Sequence, residues 1–172
     1  MREEDRQAFR EFVAARSAHL RRVAYLVCGD WHMAEDAVST ALAKLYVAWH
    51  RIRDVGRVDA YARTMVIRAV MDEHRRPWRR EHARDNQDAI DHEAPDHADA
   101  VDDKVVLRRA LGQLPKGRRA VLVLRFYEGL SVEETAEALG LSTGTVKSQT
   151  ARGLSALRDL LPADYLTMHG GA

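Results

Sequence analysis

Several things are scarce in this chain, and each scarcity closes off a class of proteins. There is one cysteine, Cys28, in 172 residues, so no disulfide can form within the chain. Its neighbours Tyr25, Leu26 and Val27 make it read as a plain buried thiol. No apolar run is long enough to span a bilayer, and the opening MREEDRQAF has no apolar signal core. A soluble cytoplasmic protein without membrane insertion is expected. Val, Ile and Thr nowhere alternate with polar residues over strand-like lengths, which argues against a sheet. An excess of one charge is also missing, since 27 Lys and Arg face 26 Asp and Glu for a formal net charge of +1. Total charge therefore neither proves nor excludes a nucleic-acid partner, and its distribution has to decide. Enzyme signatures are missing too. GQLPKGRR lacks the GK[ST] ending of a phosphate-binding loop. The nearest metal-like group, His92, Glu93 and His97, has the wrong spacing for a zincin helix and contains a proline. No catalytic residue, metal site or cofactor is expected.

What the chain has instead is helical periodicity. Phe9, Phe12, Val13, Leu20, Val23, Ala24 and Val27 mark a first helix, which Gly29 ends. Ala34, Val38, Ala41, Leu42, Leu45 and Trp49 mark a second. A charged loop, Arg51 to Asp59, leads to a third, running from about Ala60 towards Pro77. Residues 81–103 then change character, with many acids, little apolar content and a proline, as in a linker with no core of its own. Helicity resumes at Val105, Val106, Leu107, Ala110 and Leu111, breaks at Leu114-Pro115, and returns over Arg118 to Tyr127. The expected fold is all-α: two small helical domains, 5–80 and 104–161, joined by a flexible acidic linker, 81–103, with a loose tail over 162–172.

The most specific stretch lies in the second domain. Ser131 stands three residues before Glu134, the spacing of a capping box. Val132, Ala136 and Leu139 follow at helical spacing, and Gly140 suits a helix end with positive φ. Leu141 is placed to plug the angle before a second helix capped by Ser142. Val146, Leu154, Leu157 and Leu161 give that helix an apolar stripe. Its other face offers Thr143, Thr145, Lys147, Ser148 and Arg152, short or basic side chains suited to the major groove. This is a helix-turn-helix pattern. The third helix adds a basic stripe of Arg68, Arg75 and Arg79 with Asp72, about a quarter turn from Ile67, Met71, His74 and Trp78.

Taken together, these segments resemble a known family. AYLVCGDWHMAEDAVSTALAKLYVAW (Ala24 to Trp49), DAYARTMVIRAVMDEHRRPWRR (Asp59 to Arg80) and the run from Leu111 to Arg158 are similar to group-four, extracytoplasmic-function (ECF) sigma-70 factors. Within that group the chain resembles the compact actinobacterial SigE-like family. The resemblance covers about residues 6 to 161.

The resemblance implies a non-catalytic sigma subunit whose partners are core RNA polymerase (its clamp helices and flap) and promoter DNA, with room for an anti-sigma factor. It implies that Glu35, Asp36 and Ser39 dock on polymerase. It places Arg51, Arg53, Asp54, Arg57, Arg63, Arg68, Arg75 and Arg76 at the −10 element, where the family's loop captures a base flipped from the non-template strand. It places Thr143, Thr145, Lys147, Ser148 and Arg152 at the −35 element, with Arg118 and Arg119 on its phosphates. The acidic linker would thread the positively charged channels of polymerase. Two positions depart from the pattern: Arg68 stands where Asn is common, and Ser39-Thr40 replaces a Gln-Glu pair. A rival, a LuxR-like helix-turn-helix regulator that is not a polymerase subunit, shares the DNA-binding half. The N-terminal half lacks the alternating strands and helices of a receiver domain.

Overall fold

The computed structural model describes residues 2–52, 55–73 and 98–165. Every element in them is helical, and the chain divides into two compact units, Met1–Gln87 and Asp88–Ala172. Residues 74–97 and 166–172 lie outside the described residues. They include most of the expected linker, the His92, Glu93 and His97 group, the Arg75–Arg80 basic run and most of the tail.

The first unit holds α1 (Glu3–Cys28), α2 (Trp31–Ile52) and α3 (Val55–Glu73). Gly29 ends α1 at φ 76°, with its N–H on the Tyr25 carbonyl. That left-handed geometry is cheap for glycine alone. Asp30 then caps α2, its carboxylate accepting from the Met33 N–H at 3.0 Å. Two residues thus reverse the chain, and Tyr25 stacks on Trp31 across the turn with ring centroids 4.0 Å apart. Leu20, Val23, Ala24 and Val27 of α1 are buried against Ala34, Ala37, Val38, Ala41, Leu45 and Trp49 of α2. The alanines let the helices approach closely. Phe9 and Phe12 pack around the Trp49 ring at 5.1 and 5.5 Å, edge-on or tilted as aromatic quadrupoles favour. Val58, Ala62, Val66, Ile67 and Val70 bury one face of α3. A half-exposed ion pair, Arg16 to Asp59 at 2.7 Å, ties α3 to α1 and contributes about 1 kcal/mol or less.

The expected loop from Arg51 to Asp59 is mostly helix. α2 runs on to Ile52 and α3 begins at Val55, because buried Trp49 and Val58 carry the apolar pattern almost to the junction. Arg53 and Asp54 lie outside the described residues.

The second unit holds α4 (Ala98–Gly112), α5 (Lys116–Leu122), α6 (Val132–Leu139) and α7 (Thr143–Leu160). Residues 98–103, expected in the linker, are the first turns of α4. The break at Leu114-Pro115 is where expected. The helix after it is not regular: α5 passes into a π-helical turn, Val123–Tyr127, closed by the Glu128 N–H on the Val123 carbonyl. Arg125 donates to the Leu130 carbonyl beyond the turn. The wider turn leaves Phe126 and Tyr127 exposed. Val121, Ala136 and Val146 join α5, α6 and α7 in a core, with Val132 and Leu139 packed against it.

Two expectations for α7 are corrected. Leu141 and Leu154 are 38% and 39% exposed, so Leu141 is no plug and Leu154 is off the buried stripe. Gly153 occupies that face instead, and a Cβ there would meet the Leu122 side chain at 3.1 Å. The tail is not wholly loose, since residues 163–165 form a helical turn. Burial, then the nearby negative charge of Asp103 in α4, hold the Tyr165 phenol above its ordinary pKa.

Gly153→Val should lower the stability of this unit by about 2 kcal/mol through overpacking on Leu122, measured by denaturant unfolding. Thr135 is fully buried with its hydroxyl oxygen unpartnered. Thr135→Val should therefore raise stability by about 1 kcal/mol, seen as a melting temperature a few degrees higher.

Candidate nucleic-acid interface

The helix-turn-helix is built from its caps outward. Ser131 and Glu134 form both halves of the capping box, the Ser131 N–H donating to Glu134 Oε2 at 2.7 Å and the Glu134 N–H to Ser131 Oγ at 3.0 Å. Gly140 closes α6 at φ 65°, and the Leu141 N–H returns to the Ala136 carbonyl. Ser142 caps α7, accepting from the Thr145 N–H at 3.1 Å. These contacts set where α7 begins and how it leaves α6. Buried Val146 and Gly153 set which face turns inward.

At about 100° per residue, Thr145, Ser148 and Arg152 fall within about 60° of one another on the outer side of α7. Ser148 and Arg152 are exposed, and Thr145 is half-buried. The Thr145 hydroxyl shares a 2.8 Å hydrogen bond with Ser142, and the Ser148 hydroxyl donates to the Thr145 carbonyl. Both oxygens keep capacity for a further partner. Thr143 and Lys147 are exposed as well, but about 140° or more around the helix from Arg152. The five expected residues thus flank the N-terminal end of α7 on two sides rather than forming one stripe.

Arg118 and Arg119 differ in role. Arg118 points across to α7, its Nε donating to Gln149 Oε1 at 3.2 Å. Arg119 turns back, one Nη donating to the Gly112 and Leu114 carbonyls, each at 3.1 Å. Those carbonyls end α4 and begin the break, so Arg119 closes the α4–α5 corner.

In the first unit, Arg57, Tyr61 and Arg68 lie within about 40° on the outer face of α3, all exposed. Arg63 is half-buried and about 120° or more away from that stripe. Arg51, in the last turn of α2, is exposed and donates to the His50 ring. Arg75 and Arg76 lie outside the described residues. On α2, Glu35, Asp36 and Ser39 are exposed on one face, and Glu35 is 3.6 Å from Arg21 of α1.

Comparison with known proteins decides the family. Residues 12–80 match the model of sigma-70 region 2, and residues 104–157 match that of sigma-70 region 4. The chain is 39% identical over 160 residues to the RNA polymerase sigma-E factor of Streptomyces coelicolor, covering 90% of this chain and 86% of that one. The chain belongs to the actinobacterial SigE-like group of ECF sigma factors. It is an alternative sigma factor of transcription initiation. The ECF sigma factor SigM of Mycobacterium tuberculosis is 29% identical over 157 residues, 91% of this chain and 79% of the relative. Among solved structures, the fold is similar to Bartonella quintana RpoE, solved with the anti-sigma factor NepR (TM-score 0.69, 22% identity, 92% of this chain and 99% of that one). It is also similar to CnrH, solved with the cytosolic domain of CnrY (TM-score 0.57, 24% identity, 90% and 88%).

The structure of this sigma factor also brings forward residues that sequence reasoning passed over. Tyr46 and Val47 are exposed on α2, Val47 at 74%. They lie on the same face as Glu35, Asp36 and Ser39, within about 120° of arc. The signal was present in KLYVAW, which has more apolar residues than one buried stripe can hold. Tyr61 was likewise an aromatic among arginines. Neither distinction is visible without knowing which side of each helix is covered.

Arg119→Ala should lower the stability of the second unit by about 1.5 kcal/mol, the value of charge-assisted hydrogen bonds to carbonyls, as read by thermal unfolding. Arg118→Ala should have a smaller effect in the same measurement.

Proposed function

We propose that this sigma factor binds core RNA polymerase through the outer face of α2. The second unit reads the −35 element with α7, and the first holds the opened −10 element along α3. The observation that carries this reading is the capped helix-turn-helix with Thr145, Ser148 and Arg152 together on its outer face. An arginine beside short hydroxyl side chains can approach base edges and phosphates in a groove.

On α3, Tyr61 between Arg57 and Arg68 combines an aromatic surface for an unstacked base with charges for its backbone. The −10 role of Arg51, Arg53, Asp54, Arg63, Arg75 and Arg76 rests on family resemblance. On α2, Glu35, Asp36 and Ser39 supply a polar end of the docking surface, and Tyr46 and Val47 an apolar end. An exposed Val and Tyr side by side suit a protein partner better than DNA.

The two domains carrying this division of labour span 5–80 and 104–161, and α4 reaches back from the second into the linker, to Ala98. The sigma factor contributes binding and melting, polymerase performs the chemistry, and the complex acts in the cytoplasm. An anti-sigma factor is a further partner, by analogy with the two solved relatives. DNA affinity without polymerase is low, because each unit offers only a small surface.

Run-off transcription with bacterial core polymerase and a genomic promoter library tests the reading. Specific initiation that depends on this chain is expected. Failure to form a complex with core and to initiate would instead favour a free-standing helix-turn-helix regulator. Arg152→Ala and Lys147→Ala should each lower −35-dependent output about tenfold. Val47→Asp should weaken binding to core at least tenfold in a direct binding assay, with the fold intact by circular dichroism.

A further inference from the structure

Gln149 of α7 has no part in the function proposed above. It is half-buried and lies about 40° from Thr145 and about 60° from Arg152 around the helix. It therefore borders the outer face on the side nearest α5. Arg118 Nε donates to its side-chain oxygen at 3.2 Å. An arginine has only donors, so the amide must turn its oxygen towards Arg118 and its NH2 group away.

This orientation limits what Gln149 can read. Glutamine pairs with adenine by accepting from the base's amino group while donating to N7. Here the accepting oxygen already takes one hydrogen bond, and its donor is a guanidinium. An adenine amino group, itself a donor, would meet positive charge there. Cytosine also presents an amino donor in the major groove. Guanine presents only acceptors, O6 and N7, and thymine the acceptor O4, whereas adenine sets its N7 acceptor beside the amino donor.

We propose that Arg118 and Gln149 form one reading unit, in which Arg118 holds the Gln149 amide so that its N–H donors select guanine or thymine at one position of the −35 element. This inference rests on α7 being the −35-reading helix. Arg118 is then a positioning residue for base choice, beyond any phosphate contact its remaining donors make.

The test is transcription by the reconstituted holoenzyme from a promoter library randomised across the −35 element, with products sequenced. The wild type is expected to favour guanine or thymine over adenine about tenfold at one position. Gln149→Ala should flatten that position and no other. Arg118→Met keeps the aliphatic stem and frees the amide oxygen, so it should raise adenine there. Gln149→Glu still has Arg118 as partner but has only acceptors, so it should move the preference to cytosine.

An unchanged base profile with Gln149→Ala, or a uniform drop in output at every sequence, would overturn the proposal. So would continued rejection of adenine by Arg118→Met. Ser148→Ala and Arg152→Ala separate the two levels. If they alter the −35 profile while Gln149→Ala does not, only this inference falls. If none of the three alters it, the reading of α7 falls as well.

Discussion

The close approach of α7 to α5 is the constraint on which the second unit depends. At Gly153 there is no side chain, and the Leu122 side chain occupies the space a Cβ would take. Two turns earlier Val146 is fully buried against Val121 and Ala136. These two positions set both the distance and the rotation of α7. With the rotation set, Thr145, Ser148 and Arg152 have to face outward. With the distance set, Arg118 on the first turn of α5 can reach Gln149. A bulkier residue at 153 would move this outer face without touching any residue on it.

Hydrogen bonds at the helix ends complete that positioning. The reciprocal Ser131–Glu134 pair starts α6, Gly140 stops it, and Ser142 starts α7. Each satisfies backbone groups that a helix end leaves open, so the turn between α6 and α7 has few alternatives. Arg119 does the same for the corner between α4 and α5. A charged residue beside a candidate DNA surface thus serves the scaffold, while its neighbour Arg118 faces α7.

The first unit divides its surface differently. Its core is built from the facing sides of α1, α2 and α3, with Phe9 and Phe12 packed around Trp49. Because the core uses only one side of each helix, the outer sides of α2 and α3 are exposed. One ends in exposed Tyr46 and Val47, the other carries Tyr61 between two arginines. Tyr46 is part-exposed with its ring edge-on to Phe9 at 5.1 Å, and Tyr61 is exposed between the two arginines.

Much of this was legible in the chain itself. Helix caps and breakers act over three or four residues, so Gly29, Ser131, Glu134, Gly140, Ser142 and the Leu114-Pro115 break could be read directly, and the buried stripes of α1 and α2 followed from a period of 3.6. Family membership was equally local, being carried by motif spacing. Tertiary packing decided the rest. It extended α2 and α3 into the expected loop, wound Val123–Tyr127 into a π turn, and put Leu141 and Leu154 in solvent while burying Gly153. It also gave Arg118 and Arg119 opposite tasks. Such outcomes depend on which neighbours compete for the same space and the same carbonyls, and in this chain those neighbours are as far apart in sequence as Arg118 and Gln149.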